Sequence, residues 1–213
     1  MPKNTPSPSD PQHYFSESPQ AESRRKEFAV TGADGELTLS TDAGVFSQHG
    51  LDKGTSVFLE VMAKHDCAPI EPGSFLCDIG CGSGAIALTL AVRYPACTIY
   101  AIDTNKRARD ICVENAARNG LTNVVVKAPD EVDPSITFAA IWSNPPIRIG
   151  KSALHELLEL WLARLDADGT AYLVVNKNLG ADSLSQWMTD LNYPTTRLAS
   201  RNGFRVLEVK TSR

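Results

Sequence analysis

The stretch Phe75-Leu76-Cys77-Asp78-Ile79-Gly80-Cys81-Gly82-Ser83-Gly84-Ala85 constrains the fold of this chain more than any other. An apolar, strand-like run passes directly into three glycines at alternate positions. It continues into Ala85-Ile86-Ala87-Leu88, which reads as the start of a buried helix. Glycines so placed allow a tight strand-to-helix turn and a close approach of backbone to a ligand, with helix N–H groups facing it. Asp103 follows at the end of the next apolar run, where a carboxylate can accept hydrogen bonds from both hydroxyls of a ribose. A bare tight turn would account for the glycines. It would not account for strand, loop, helix, strand and acid falling in that order, so a ligand is expected.

Around this loop the pattern alternates. Strand-like runs at 74–79, 98–102, 124–126, 138–142 and 170–175 are separated by amphipathic stretches at 85–93, 107–119, 153–165 and 183–191. Repeated βαβ units imply a parallel sheet with helices on both faces. Two last runs, 195–200 and 204–209, flank Arg201-Asn202-Gly203, a hairpin signal that adds an antiparallel edge. The expected fold is therefore a doubly wound α/β sheet of seven strands, mostly parallel, with the last pair antiparallel. Ahead of it, runs at 27–31 and 36–41 flank Gly32-Ala33-Asp34-Gly35 as a further hairpin, followed by a helix over 53–65 in which Val57, Phe58, Val61 and Met62 recur at helical spacing. Residues 1–25 hold five of the thirteen prolines and few large aliphatics, a composition that reads as a disordered tail preceding one domain over 26–213.

Composition narrows the classes. No apolar run approaches the roughly 18 residues of a membrane span, and the first residues lack the apolar core of a secretory signal. Five cysteines, Cys67, Cys77, Cys81, Cys97 and Cys112, lie in apolar segments, which fits buried reduced thiols in a cytoplasmic protein better than a disulfide framework. Cys77 and Cys81 have no second pair or histidine cluster nearby, so no metal site is expected. The histidines, His13, His49, His65 and His155, are scattered and read as surface residues. Trp142 and Trp161 sit in apolar runs and read as core. The formal charge of −4 excludes a strongly basic, indiscriminate nucleic-acid binder but leaves room for a local basic patch.

A second motif, Ser143-Asn144-Pro145-Pro146, ends the fourth strand of the alternating series. Ligands bind at the carboxyl ends of strands in open α/β sheets. An Asn carbonyl beside a rigid prolyl carbonyl is a pair of acceptors suited to gripping an –NH₂ group. On an aromatic amine they draw both hydrogens to one side and direct the nitrogen lone pair toward an electrophile. An Asn-Pro turn alone would merely end a strand; one strand beyond a glycine loop and a ribose-type acid, it reads as functional. The glycines also satisfy Gly80-x-Gly82-x-x-Ala85, a dinucleotide fingerprint, so a nicotinamide oxidoreductase stands as a rival. That rival gives no reason for Asp78 or for Asn144-Pro145-Pro146.

The Asp78–Gly84 loop, Asp103 and Asn144-Pro145-Pro146 resemble the class I S-adenosylmethionine-dependent methyltransferases that modify planar nitrogens. More narrowly, Gly44-Val45-Phe46-Ser47, Leu51-Asp52-x-Gly54-Thr55, Ile147-Arg148-x-Gly150-Lys151 and Gly203-Phe204-Arg205-Val206-Leu207 resemble the "methyltransferase small" group, which includes 16S ribosomal RNA guanine-N2 methyltransferases. The resemblance covers residues 27–210. It implies S-adenosyl-L-methionine as cofactor, with Gly80, Cys81 and Gly82 against its methionine part, Asp78 organising the ammonium and Asp103 on the ribose. Phe46, Ser47 and Thr55 would line the cofactor entrance, and Asp130 stands where the family has an acid facing the adenine amine. Asn144 and Pro145, with Pro146 behind them, would hold the target amine in line with the methyl group. Ile147 stands where many amino-methyltransferases have Phe or Tyr, which favours the guanine-directed branch.

The expected activity is N-methylation of an exocyclic amine, guanine N2 of small-subunit ribosomal RNA foremost. Adenine N6, a protein glutamine, the oxidoreductase and a non-catalytic cofactor-binding module are the alternatives. Ribosomal RNA or the small ribosomal subunit is the expected partner, approached by a monomer with no membrane contact. Arg148, Lys151, Lys177, Arg201 and Arg205 fall in loops or at strand ends on one sheet edge and are the candidates for phosphate contacts, with Ile147 at the base.

Overall fold

The computed structural model describes residues 22–32, 35–45 and 50–212. Most of the tail, the tip of the first hairpin, and Phe46 and Ser47 therefore lie outside the described residues.

Runs apolar on both faces form the inner strands, as a sheet covered by helices on both sides requires. The elements are β1 (Lys26–Gly32), β2 (Gly35–Thr41), α1 (Lys53–Met62), β3 (Phe75–Ile79), α2 (Ala85–Arg93), β4 (Thr98–Ile102), α3 (Lys106–Arg118), β5 (Val124–Lys127), β6 (Phe138–Ser143), α4 (Lys151–Leu162), β7 (Leu165–Asn176), α5 (Ala181–Asp190), β8 (Thr195–Arg201) and β9 (Phe204–Lys210). Strand order in the main sheet is β5-β4-β3-β6-β7-β9-β8. Neighbours from β5 to β7 are parallel, and β9 runs antiparallel to both β7 and β8. The seven-stranded, doubly wound α/β architecture is the one expected.

One core cluster, with Phe58, Met62, Leu88 and Trp142, packs α1 and α2 on one face of the sheet. The other, with Phe138, Leu158, Trp161 and Met188, packs α4 and α5 on the opposite face. Trp142 and Trp161 are both about 1% exposed, so they are core, as their apolar runs imply. All five cysteines are free thiols, and four of them are buried.

Among the boundaries that differ from the sequence reading, two have a local physical cause. Helix α1 stops at Met62, short of residue 65. There the Arg93 guanidinium donates to the carbonyls of Met62 (2.6 Å) and His65 (3.2 Å), satisfying acceptors that further helix would have used. Strand β7 begins at Leu165, ahead of residue 170. Asp166-Ala167-Asp168-Gly169 has turn composition, yet it continues the strand through a register shift opposite Phe138 and Ala140. A Cβ at Gly169 would lie 2.9 Å from the Phe138 carbonyl oxygen, so glycine permits that close approach.

The first hairpin forms its own two-stranded sheet. Two carboxamides on α3 dock it. Asn115 accepts from the Ser40 N–H and donates to the Ser40 carbonyl, both at 2.8 Å. Asn119 does the same with Thr38, at 3.1 and 2.9 Å. Four helical residues rise about 6 Å and two strand residues about 6.6–6.8 Å, so side chains four apart on a helix can stand in for a partner strand. Asn115 also donates to the Ser83 carbonyl at 2.8 Å, which ties the hairpin to the glycine loop.

Candidate functional site

The strand order reverses between β3 and β6, and the crevice opens there. Their ladder ends at Asp78 opposite Trp142; one residue on, the Ser143 hydroxyl donates to the Ile79 carbonyl at 2.7 Å as the strands part. The resulting concavity encloses ≈ 350 Å³, solvent at its mouth included. The glycine loop (Gly80, Cys81, Gly82, Ser83) lines one side of it, and Thr55 with Asn144 lines another. Phe28, Leu51 and Ile86 supply apolar wall.

The glycine loop is tied to its neighbours by its own donors. The N–H groups of Gly80 and Cys81 both reach the Ile102 carbonyl at the end of β4, at 2.8 and 2.9 Å. The Gly82 N–H goes to Asp103 Oδ2 at 2.9 Å. These three loop donors are thus spent inside the fold. Gly84 is the N-cap of α2 with φ of 92°, and a Cβ there would lie 2.7 Å from Cys112 Sγ. Glycine is required at that position for both conformation and space.

Asp78 is about 1% exposed, and its Oδ2 accepts from the Ala87 N–H at 2.9 Å in the first turn of α2. Its Oδ1 is buried without a hydrogen-bond partner among the described residues. Burial pushes its pKa up to about 8, against the Ala87 hydrogen bond and with some help from the Asp103 charge. Asp103 accepts from Gly82 and, through Oδ1, from the Asn105 N–H at 2.9 Å. Burial raises its pKa too, while those backbone donors and Arg109 oppose the rise. Each carboxylate oxygen has two lone pairs, so Asp103 retains acceptor capacity beyond its structural bonds. The Cys81 thiol is raised well above the ordinary value by its contact with Cys112 and by burial, which suits a small packing residue and not a nucleophile.

Asn144, half-buried just after β6, donates through Nδ2 to Asp52 Oδ2 (2.9 Å) and Thr55 Oγ1 (3.0 Å). Its Oδ1 has no partner among the described residues. Pro146, with φ of −75° and ψ of 71°, is the centre of an inverse γ-turn in which the Ile147 N–H donates to the Pro145 carbonyl at 2.8 Å. That carbonyl is rigidly held and keeps one lone pair. Pro146 Cδ would be 3.8 Å from a Cβ on Gly80, so the two motifs meet across the crevice.

The remaining predicted residues divide. Thr55 lines the concavity and also contacts Asn144. Asp130 is exposed, in a 3-10 turn (Pro129–Glu131) after β5, and is not among the lining residues. Ile147 packs against the α4–α5 core cluster instead of covering the crevice. Arg148 and Lys177 are exposed in the turns that follow β6 and β7, and Lys151 is exposed at the start of α4. Arg205 is corrected: its guanidinium is paired with Asp182, its side chain is 16% exposed and its Nε is buried, so it is no free cation. Arg201 is paired with Glu60 at 3.0 Å. Phe46 and Ser47 lie outside the described residues.

Sequence reasoning missed Phe28, Leu51 and Ile86 as wall residues. Phe28 reaches the site because α3 docks the hairpin, and a lone aromatic in a strand carries no signal of that. Asp52 was legible only as part of a motif. Its helix-capping role, accepting from the Gly54 N–H (2.8 Å) and Thr55 N–H (3.2 Å), is the local signal that could have placed it.

A family model described as methyltransferase small domain matches residues 36–208. The uncharacterized protein YbxB of Bacillus subtilis (strain 168) is 33% identical over 202 residues, 93% of this chain and 98% of that protein. The ribosomal RNA small subunit methyltransferase C of Pseudomonas aeruginosa (strain LESB58) is 30% identical over 198 residues, 91% of this chain but 57% of that protein. The chain thus spans little more than half the length of that methyltransferase. Among solved structures, the T. thermophilus 16S rRNA N2 G1207 methyltransferase (RsmC), in complex with AdoMet and guanosine, superposes with a TM-score of 0.70 at 20% identity, covering 88% of this chain and 50% of that one. At that identity the likeness is one of fold.

Proposed function

This chain belongs to the methyltransferase small domain family, and on that premise we propose that it methylates an exocyclic amine of a nucleobase, guanine N2 of small-subunit ribosomal RNA. The observation that carries the reading is Asn144, whose two amide hydrogens go to Asp52 and Thr55 and whose oxygen, beside the crevice, has no partner among the described residues.

The residues present fit S-adenosylmethionine as cofactor. Asp78 Oδ1 is a buried acceptor without a partner, suited to an ammonium and its water shell. Asp103 has spare lone pairs for ribose hydroxyls, and Phe28, Leu51 and Ile86 offer apolar wall to an uncharged ring. When bound, the cofactor supplies an electrophilic methyl group. Asp130 is left out of this set.

Asn144 Oδ1 and the Pro145 carbonyl each accept one N–H of the target amine. With both hydrogens held on one side, the lone pair turns away from the ring and toward the opposite face of the crevice. The amine becomes more acidic once it has a fourth substituent, so its proton passes to solvent without a strong base. Rate enhancement then comes mainly from positioning. The exposed Arg148, Lys151 and Lys177 contact phosphates and orient the RNA on an otherwise acidic domain. A single-stranded or unfolded segment lowers the cost of presenting the base. The catalytic domain is residues 26–213, acting as a cytoplasmic monomer.

Two observations on relatives support the substrate: the names of the Pseudomonas aeruginosa and T. thermophilus proteins, both small-subunit rRNA methyltransferases. The test is incubation with radiolabelled S-adenosylmethionine and unmethylated small-subunit rRNA, free and in assembled subunits, followed by nucleoside analysis. Label in N2-methylguanosine is expected. Label in N6-methyladenosine or in protein, or none at all, would overturn the reading.

A further inference from the structure

We propose that Asp52 is a positioning residue for the methyl transfer: its carboxylate, with the Thr55 hydroxyl, dictates which way the Asn144 carboxamide faces. This rests on the reading of Asn144 as the group that holds the target amine.

An asparagine side chain is nearly symmetric in shape, yet only one of its two orientations presents an acceptor to an amine. Something must select it. A carboxylate only accepts hydrogen bonds, so the Asn144 atom lying 2.9 Å from Asp52 Oδ2 must be the nitrogen. Thr55 Oγ1, 3.0 Å from the same nitrogen, takes the second hydrogen. With both hydrogens committed to Asp52 and Thr55, the oxygen is the polar atom of the side chain left without a partner among the described residues. A flipped Asn144 would set its oxygen against a carboxylate oxygen and leave the NH₂ facing the substrate amine, donor against donor.

Asp52 is itself held. The same Oδ2 accepts from the Gly54 and Thr55 N–H groups at the start of α1. The helix cap thus fixes the carboxylate, and the carboxylate fixes the amide. Gly54 makes the approach feasible. A Cβ there would lie 2.9 Å from Phe204 Cε1, 3.0 Å from Asp52 Oδ2 and 3.3 Å from Asn144 Nδ2. The negative charge beside the NH₂ group also polarises the amide and strengthens its oxygen as an acceptor.

The test separates the cap from the clamp. Serine caps helices about as well as aspartate, but its hydroxyl is shorter and can donate as well as accept. Asp52→Ser should leave the melting temperature within about 3 °C and lower kcat by roughly 30-fold or more, with KM for RNA and cofactor affinity within about 3-fold. Asp52→Asn keeps an acceptor oxygen in place and should restore kcat to within about 5-fold of the parent. Placed on Asn144→Ala, Asp52→Ser should add no further loss, because the group it orients is gone. A second readout needs no turnover. The Asn144 side-chain NH₂ resonance of the unliganded protein, identified by its disappearance in Asn144→Ala, should shift in Asp52→Ser and stay near its place in Asp52→Asn. Parental kcat in Asp52→Ser, or losses that add to that of Asn144→Ala, would overturn the positioning role. Normal turnover in Asn144→Ala itself would instead overturn the methyl-transfer reading beneath it.

Discussion

The two sides of the crevice are built on different scales of the chain. On the cofactor side, the groups that matter are held by nearby backbone: Asp78 by the N–H nine residues on, and Asp103 by one two residues on and another 21 residues back. On the amine side, Asn144 is held by side chains 92 and 89 residues away, on a helix that precedes the whole alternating series. The first side is one βαβ unit, self-contained, with its donors and acceptors largely paired internally. The second exists only once α1, β6 and β9 have come together. The acidic side keeps Asp78 Oδ1 without a partner among the described residues, and the amine side keeps an open acceptor and exposed cations. The glycine loop is therefore a local construction, while the surroundings of Asn144 depend on a long-range assembly.

Four experiments can break or sharpen this contrast. The largest effect belongs to Asn144→Ala, which should reduce turnover by about 10³-fold or more while cofactor affinity stays within a few-fold. A comparable fall in cofactor affinity would mean that the two sides are not separable. Next, Asp103→Ala should weaken S-adenosylhomocysteine binding by roughly 10- to 100-fold, measured by calorimetry, since it removes ribose acceptors and also frees the Gly82 N–H. Unchanged affinity would remove Asp103 from the cofactor side.

Third is a pH effect with a defined sign. The Asp78 carboxyl ionises near 3.8 when exposed and at about 8 in the fold. Between those values the folded chain holds a proton that the unfolded chain has released, so its contribution to stability falls as pH rises. Asp78→Asn has no such loss. Its melting temperature should match the parent near pH 4 and exceed it increasingly up to pH 8, by about 2–4 °C for each kcal/mol relieved, while cofactor binding weakens. A constant difference across that window would show that the buried charge is not what costs stability. The smallest effect is electrostatic. Lys177→Ala or Arg148→Ala should each reduce the salt dependence of RNA binding by about one counterion. Arg205→Ala should leave that slope alone and lower the melting temperature, because its partner is Asp182.

Legibility followed the same divide. Helix α2 and strand β4 have the bounds that the pattern implied, because each is a short apolar run between strong punctuation. Strand β7 was read five residues short, since Asp166, Asp168 and Gly169 have turn composition and only pairing with β6 carries them into the sheet. Asn144 was legible as a motif, but its orientation was not, and Arg205 looked like a free cation because nothing local announces Asp182. Asp130 was placed by position in a motif, and the turn after β5 leaves it facing solvent.

The alternation of strand and helix, and with it the doubly wound sheet and the glycine turn, was already determined by the sequence. These rest on periodicity and backbone conformation, which a chain encodes over ten or twenty residues. Tertiary structure alone decided which carboxylate orients Asn144, which cations are left unpaired and which aromatic walls the crevice. Those outcomes depend on pairs of side chains far apart along the chain, and hydrogen-bonding partners at such separations leave no periodic trace in the sequence.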